Sequence, residues 1–109
     1  MRIVAVTACP TGVVLTYMAA NRLSAAARRL GYAMKIETQG ALGSEDLVTR
    51  KDVARADVAI LAADVAIEQP ERFEVLPTLK VSTAEAIDDP DTVLGRALAL
   101  IGGEVPPAR

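Results

Sequence analysis

Apolar and polar positions change period several times along the chain, and each change marks an element. Ile3-Val4-Ala5-Val6-Thr7 is β-branched and uncharged, the pattern of a strand buried on both faces. From Thr16 to Leu30 the period becomes helical. At about 100° per residue, Thr16, Ala19, Ala20, Leu23, Ala26, Ala27 and Leu30 form one stripe. Asn21, Arg22, Ser24, Arg28 and Arg29 fall outside it, and Gly31 supplies a C-terminal stop. Ala33 to Thr38 returns to period two, with Met34, Ile36 and Thr38 alternating against Lys35 and Glu37; this charged alternation predicts an edge strand. Gln39 to Val48, with Gly40 and Gly43, reads as a loop. Thr49 with Asp52 is a weak capping box before a short helix. Asp57 to Ala62 predicts a third strand. Val65 to Glu74 is ambiguous and broken by Pro70, and Thr78 to Val81 predicts a fourth strand. Ser82 with Glu85 resembles another capping box. Asp89 caps a last helix with Pro90 at its first position, the stripe Val93, Leu94, Ala97, Leu98 and Ile101, and Gly102 at its end.

Strand and helix alternate throughout, which predicts an α/β fold: a single-domain, open, four-stranded parallel sheet flanked by helices. The domain is expected over residues 1–103, with 104–109 as a disordered tail. Beginning at Met1 and ending in that tail, the chain reads as free-standing. Ligands of such sheets bind beyond the carboxyl ends of the strands. The loops that start at Cys9, Gln39, Ala63 and Ser82 are therefore expected on one edge, where function is to be sought.

Composition narrows the chemistry. The 109 residues are 51% hydrophobic but only 3% aromatic, so the core must be built from Val, Ile, Leu and Ala. A formal net charge of −2 argues against a nucleic-acid binder, which needs a basic surface. No stretch reaches the roughly 18 apolar residues of a membrane span, and the apolar start is too short for a signal peptide. The expected location is cytoplasmic, without direct membrane insertion. One Cys and no His exclude an internal disulfide, Cys/His metal sites and any Ser-His-Asp or Cys-His catalysis within the chain. Covalent chemistry, if present, falls to Cys9 or a carboxylate.

Cys9-Pro10-Thr11-Gly12-Val13-Val14-Leu15-Thr16 joins the first strand to the first helix and reads as a phosphate-binding loop. Its backbone N–H groups and the helix N-terminus favour an anion. Thr11 and Thr16 add hydroxyl donors, and Gly12 permits a tight curl. The same donors lower a thiol pKa and bind a phosphoryl group attached to the sulfur. The plainer reading makes Cys9 a small buried hydrophobe at a strand end. A Cys in a phosphate loop is also the pattern of cysteine phosphatases, which need an Arg six residues on to clamp the phosphate. That position is Leu15. The missing Arg and missing His favour transfer over hydrolysis, because a carrier needs a phosphoenzyme that resists water.

The sequence resembles the enzyme IIB domain of the fructose-type phosphoenolpyruvate-dependent sugar phosphotransferase system. The resemblance is carried by Val4 to Gly12, Thr16-Tyr17-Met18-Ala19-Ala20, Ile36-Glu37-Thr38-Gln39-Gly40 with Gly43, Ala56-Asp57-Val58 with Asp64, and Glu71-Arg72-Phe73. It implies that Cys9 takes a phosphoryl group from a phosphohistidine of enzyme IIA. Cys9 then passes the group to a sugar, fructose or a related one, bound by the membrane enzyme IIC. No cofactor and no metal are implied. Family members commonly carry Gly-[Ile/Val]-Ala-His-Thr after Cys-Pro-Thr, whereas this chain has Gly12-Val13-Val14-Leu15-Thr16, so a polar group near the phosphocysteine is absent. Two other functions compete: a weakened or regulatory IIB-like interaction domain, for which Leu15 speaks, and a phosphatase-like thiol hydrolase.

Other residues on the edge admit two readings each. Gln39 either touches the phosphate loop or a partner, or belongs to an ordinary turn. Asp64 reads as a cap or structural hydrogen bond, since a carboxylate repels a phosphocysteine. Arg72 and Phe73 read as anchors of the loop before the fourth strand, with phosphate contact by Arg72 the lesser alternative. Helical arithmetic puts Tyr17 and Met18 about 120–140° from the apolar stripe, with Val14 also outward. Exposed Val14, Tyr17 and Met18 beside Cys9 form an apolar patch that, with Leu15, is expected to receive enzyme IIA and enzyme IIC in turn. The alternative is a neighbouring loop that covers it.

Overall fold

A computed structural model of the chain describes residues 1–102; the expected tail at 104–109 lies outside the described residues. Five strands form one sheet in the order β3-β2-β1-β4-β5. They are β1 (Arg2–Ala8), β2 (Ala33–Gly40), β3 (Gly43–Glu45), β4 (Val58–Ala63) and β5 (Thr78–Val81). β1, β2, β4 and β5 are parallel and correspond to the four expected strands, whereas β3 is antiparallel to β2. The expected four-stranded sheet is thus corrected to five, because the Gln39–Val48 loop contains a short hairpin strand. With three polar or glycine residues, Gly43-Ser44-Glu45 carries no strand period; backbone pairing to β2 alone makes it a strand. β3 covers β2 only at Thr38–Gly40, so Ala33–Glu37 remains an edge as expected.

The helices are α1 (Val14–Leu30), α2 (Arg50–Arg55), α3 (Thr83–Asp88) and α4 (Pro90–Leu100). α1 starts two residues before the expected Thr16, buries Thr16, Ala19, Ala20, Leu23, Ala26 and Ala27, and ends on Gly31 at φ 82. Both capping boxes are formed, Thr49 with Asp52 and Ser82 with Glu85, and Asp89 caps α4 through Thr92 N–H.

Two apolar layers flank the sheet. On one face Ile3, Ala5, Val58, Ile60 and Ala62 meet α1, α3 and α4. On the other, Val4, Val6, Ala59 and Leu61 meet Val48, Val53 of α2 and Phe73. The small alanines of α1 let the helix lie close on the sheet, which is how a core nearly free of aromatics reaches interior density. The register sets Ala8 beside Gln39 and Ala63, and Ala62 beside Val81. The carboxyl ends of all four parallel strands therefore share one edge, as expected. Among the described residues no helix is long and apolar enough to cross a membrane.

Candidate functional site

Cys9 follows β1 directly and is buried. The chain turns back at once, with Gly12 N–H donating to the Cys9 carbonyl at 3.0 Å. α1 then starts at Val14, so its first free N–H groups point at the turn. Thr16, fully buried in the first turn of α1, donates its hydroxyl to Cys9 Sγ at 3.0 Å, and Thr11 Oγ1 lies 3.5 Å from the same sulfur. Burial alone would push the thiol up. Hydrogen bonds from the Thr11 and Thr16 hydroxyls and from the Thr16 and Val13 N–H groups outweigh it and bring the pKa down to about 6. Every one of these donors is neutral. The thiolate is held by oriented dipoles, with no cation among them.

The loop is seated against the turn between β2 and β3. Ala41 N–H donates to the Gly12 carbonyl at 2.9 Å. Gly12 has φ +66, and a Cβ there would stand 2.5 Å from Ala41 N, so no other residue fits without moving one of the two turns.

The neighbouring ends are braced separately. Glu37 on β2 is fully buried, although its place in the alternation had set it with the charged side of an edge strand. Arg72 grips it with both terminal nitrogens, Nη1 at 2.7 Å and Nη2 at 3.1 Å. Arg72 also donates to the Val48, Glu68 and Gln69 carbonyls. Val48 N–H and the Gln39 amide complete the shell around Glu37. Burial pushes the Glu37 carboxyl up, but these donors and the Arg72 charge hold it below the ordinary carboxylate range. Arg72 thus anchors the segment before β5 and does not reach the thiol loop. Gln39, read either as a contact to the phosphate loop or a partner or as part of an ordinary turn, bonds within the fold: its Nε2 donates to Glu37 and to the Glu68 carbonyl, and its Oε1 accepts from Glu68 N–H at 2.8 Å. Asp64 accepts from Thr83 N–H and Thr83 Oγ1, tying the end of β4 to the start of α3.

The expected apolar patch is formed in part. Val13, Val14, Leu15 and Met18 are between 41% and 60% exposed. Tyr17 is a correction. It is half-buried, and its hydroxyl donates to Glu45 Oε1 at 2.6 Å, so the β2–β3 hairpin covers it. Sequence reasoning missed the Glu37–Arg72 pair, the Tyr17–Glu45 bond and the Gly12–Ala41 contact. The one available signal was a glycine in each of the two turns that meet, Gly12 after β1 and Gly40 at the end of β2.

A model of the family described as "PTS system, Lactose/Cellobiose specific IIB subunit" matches residues 4–96. The chain belongs to the enzyme IIB family of the sugar phosphotransferase system. Relatives named as fructose-type resemble it in sequence. It is 43% identical over 95 residues to the "PTS system fructose-like EIIB component 2" of Escherichia coli K12, spanning 87% of this chain and 90% of that protein. It is 45% identical over 101 residues to the "PTS system fructose-specific EIIB'BC component" of Xanthomonas campestris, spanning 93% of this chain but only 17% of that longer protein. The structure of a "Predicted Fructose Specific IIB" from Escherichia coli superposes with a TM-score of 0.88 at 37% identity, over 99% of this chain and 94% of that one. The fold of this enzyme IIB is therefore that of a family of phosphotransferase-system subunits.

Proposed function

We propose that this enzyme IIB is a cytoplasmic phosphoryl carrier, with Cys9 as the phosphorylated residue, enzyme IIA as donor and a fructose-like sugar on membrane enzyme IIC as acceptor. The observation that carries the reading is a buried thiol with a pKa near 6 inside a ring of neutral donors. A thiolate present at neutral pH needs no general base, and the chain has no His to supply one. In the first step the Cys9 thiolate attacks phosphorus; the S–P bond forms, the N–P bond of the donor phosphohistidine breaks, and the imidazole leaves. In the second step a sugar hydroxyl oxygen attacks phosphorus, the S–P bond breaks and the thiolate returns; the hydroxyl proton passes to a base on the acceptor side.

The N–H groups and hydroxyls that hold the thiolate are placed to hold phosphoryl oxygens. No arginine stands six residues after Cys9, so the loop lacks the clamp that speeds attack by water. Exposed Val13, Val14, Leu15 and Met18, on the loop after Cys9 and the first turns of α1, suit alternate docking of two partners. The Xanthomonas relative, whose name joins B and C components, supports a IIC partner.

The test is intact mass after incubation with phosphoenolpyruvate, the general phosphotransfer proteins and an enzyme IIA. One added phosphoryl group, absent in Cys9→Ser, is expected. No gain with several enzyme IIA proteins would favour the second reading, a weakened or regulatory module, which draws on the apolar Leu15 in the loop. Release of phosphate from an aryl phosphate would favour a thiol hydrolase.

A further inference from the structure

The thiol loop offers Cys9 the right groups only if one peptide faces the right way. A trans peptide is planar, with its C=O and N–H on opposite sides. Ala41 N–H fastens the Gly12 oxygen at 2.9 Å, so the Val13 N–H of the same planar peptide faces away from Ala41, and that N–H is among the backbone donors that lower the Cys9 pKa. Gly12 at φ +66 has no side chain to resist a half-turn of this peptide, which would present a carbonyl dipole to the sulfur instead of a donor. The fastening contact is itself braced. Tyr17 of α1 donates to Glu45 of β3 at 2.6 Å, tying the far strand of the hairpin to the helix that follows the loop. Gly40 lies between the two, where a Cβ would stand 2.8 Å from the Gly12 oxygen and 3.0 Å from the Tyr17 hydroxyl. The pairs Thr38 with Glu45 and Gly40 with Gly43 transmit that hold to Ala41.

We propose that the β2–β3 hairpin is a positioning element for the phosphoryl-transfer loop: Ala41 N–H, braced by the Tyr17–Glu45 pair, keeps the Gly12–Val13 peptide with its N–H on Cys9. Its part in transfer rests on the carrier reading, whereas its hold on the peptide does not. A phosphoryl group on the sulfur meets the same requirement, since a reversed peptide would set a carbonyl oxygen against phosphoryl oxygens.

Ala41→Pro removes the N–H and sets the ring Cδ where the hydrogen pointed, against the Gly12 oxygen, so it breaks the fastening contact outright. The pH profile of Cys9 alkylation by iodoacetamide then reads the thiolate directly, with circular dichroism to establish folding. The expected result is a profile displaced to higher pH, with alkylation at pH 6 slowed about tenfold, as loss of one donor to a charged sulfur implies. Tyr17→Phe is expected to move it the same way by less, and Leu42→Ala, at the tip of the same turn, not at all. A folded Ala41→Pro chain with the original profile overturns the proposal. If that variant does not fold, Tyr17→Phe decides, and an unchanged profile overturns it. Should the original chain take no phosphoryl group while Ala41→Pro still displaces the profile, the positioning role stands and the carrier reading falls.

Discussion

Thr16 Oγ1 donates to Cys9 Sγ at 3.0 Å from a fully buried position, so the first turn of α1 supplies the thiol with a side-chain donor as well as backbone ones. Thr16→Val keeps the shape and removes the hydroxyl. A hydrogen bond to a charged group is worth about 1.5–3 kcal/mol, enough to raise the thiol pKa by about 1–2. The midpoint of Cys9 alkylation is therefore expected to climb from about 6 toward the ordinary thiol value. Phosphoryl uptake near pH 6 should fall with it. Because the donors are dipoles and hydroxyls in a buried site, the midpoint of the unaltered chain should move little between ~0.05 M and ~1 M salt, whereas a thiolate held by surface lysines would be screened. A midpoint unchanged in Thr16→Val would remove that hydroxyl from the account.

The same thiol links stability to pH. Its pKa is about 6 in the folded chain against an ordinary 9.0, so the folded state releases the proton first. For an acid depressed in this way, the stabilisation is fully present above the unfolded value and is lost as pH falls through the folded one. Relative to Cys9→Ser, the original chain should gain stability between about pH 6 and pH 9 and show no gain below that window. Urea unfolding of both chains across the range measures this, and parallel curves would contradict it.

How much of this was legible beforehand follows from the range of each interaction. The α1 stripe, the Gly31 stop and the two capping boxes are local, within four residues along the chain, and the structure reproduces them. The shared edge follows from parallel topology alone. Tyr17 and Glu37 were misjudged for one reason: partners far along the chain decide their exposure. Glu37 looked like the polar side of an alternating strand, but Arg72, 35 positions later, makes its burial possible. Tyr17 pointed off the apolar stripe as expected, yet a hairpin with no strand period covers it through Glu45. Cys9 was legible because its chemistry rests on the turn it occupies, but its dependence on Ala41 was not, since that contact joins two turns through backbone atoms that no side chain announces.

Glu37 and Arg72 form a buried, bidentate pair, and removing one partner leaves the other charge uncompensated. Arg72→Met should cost about 3–5 kcal/mol in urea unfolding, and Glu37→Gln a comparable amount. The double variant should recover part of the loss, because neither charge is then stranded. The position of the pair also matters: Arg72 holds Val48 and Glu68 through their carbonyls, so the loops beyond β2 and β4 should loosen together and exchange their amides faster. Simple additivity of the two substitutions would mean that the pair acts as two independent groups.

Met18 separates docking from chemistry. It is 44% exposed on the outer face of α1 and is not among the donors to Cys9. Met18→Glu should leave the fold and the alkylation profile of Cys9 unaltered, because the new carboxylate projects into solvent from a helix position that bears no core contact. Docking is another matter. A charge placed in the apolar patch of Val13, Val14 and Leu15 must be desolvated by any partner that covers it, at a cost of about 1–3 kcal/mol for an unpaired polar group and more for a charge. Phosphoryl transfer from enzyme IIA is therefore expected to slow by at least about tenfold, as a rise in apparent KM for the donor and not as a fall in the rate at saturation. Met18→Leu, which keeps the apolar surface, should transfer as the original chain does. Equal donor KM values for Met18→Glu and the original chain would place the docking surface elsewhere on the loop edge.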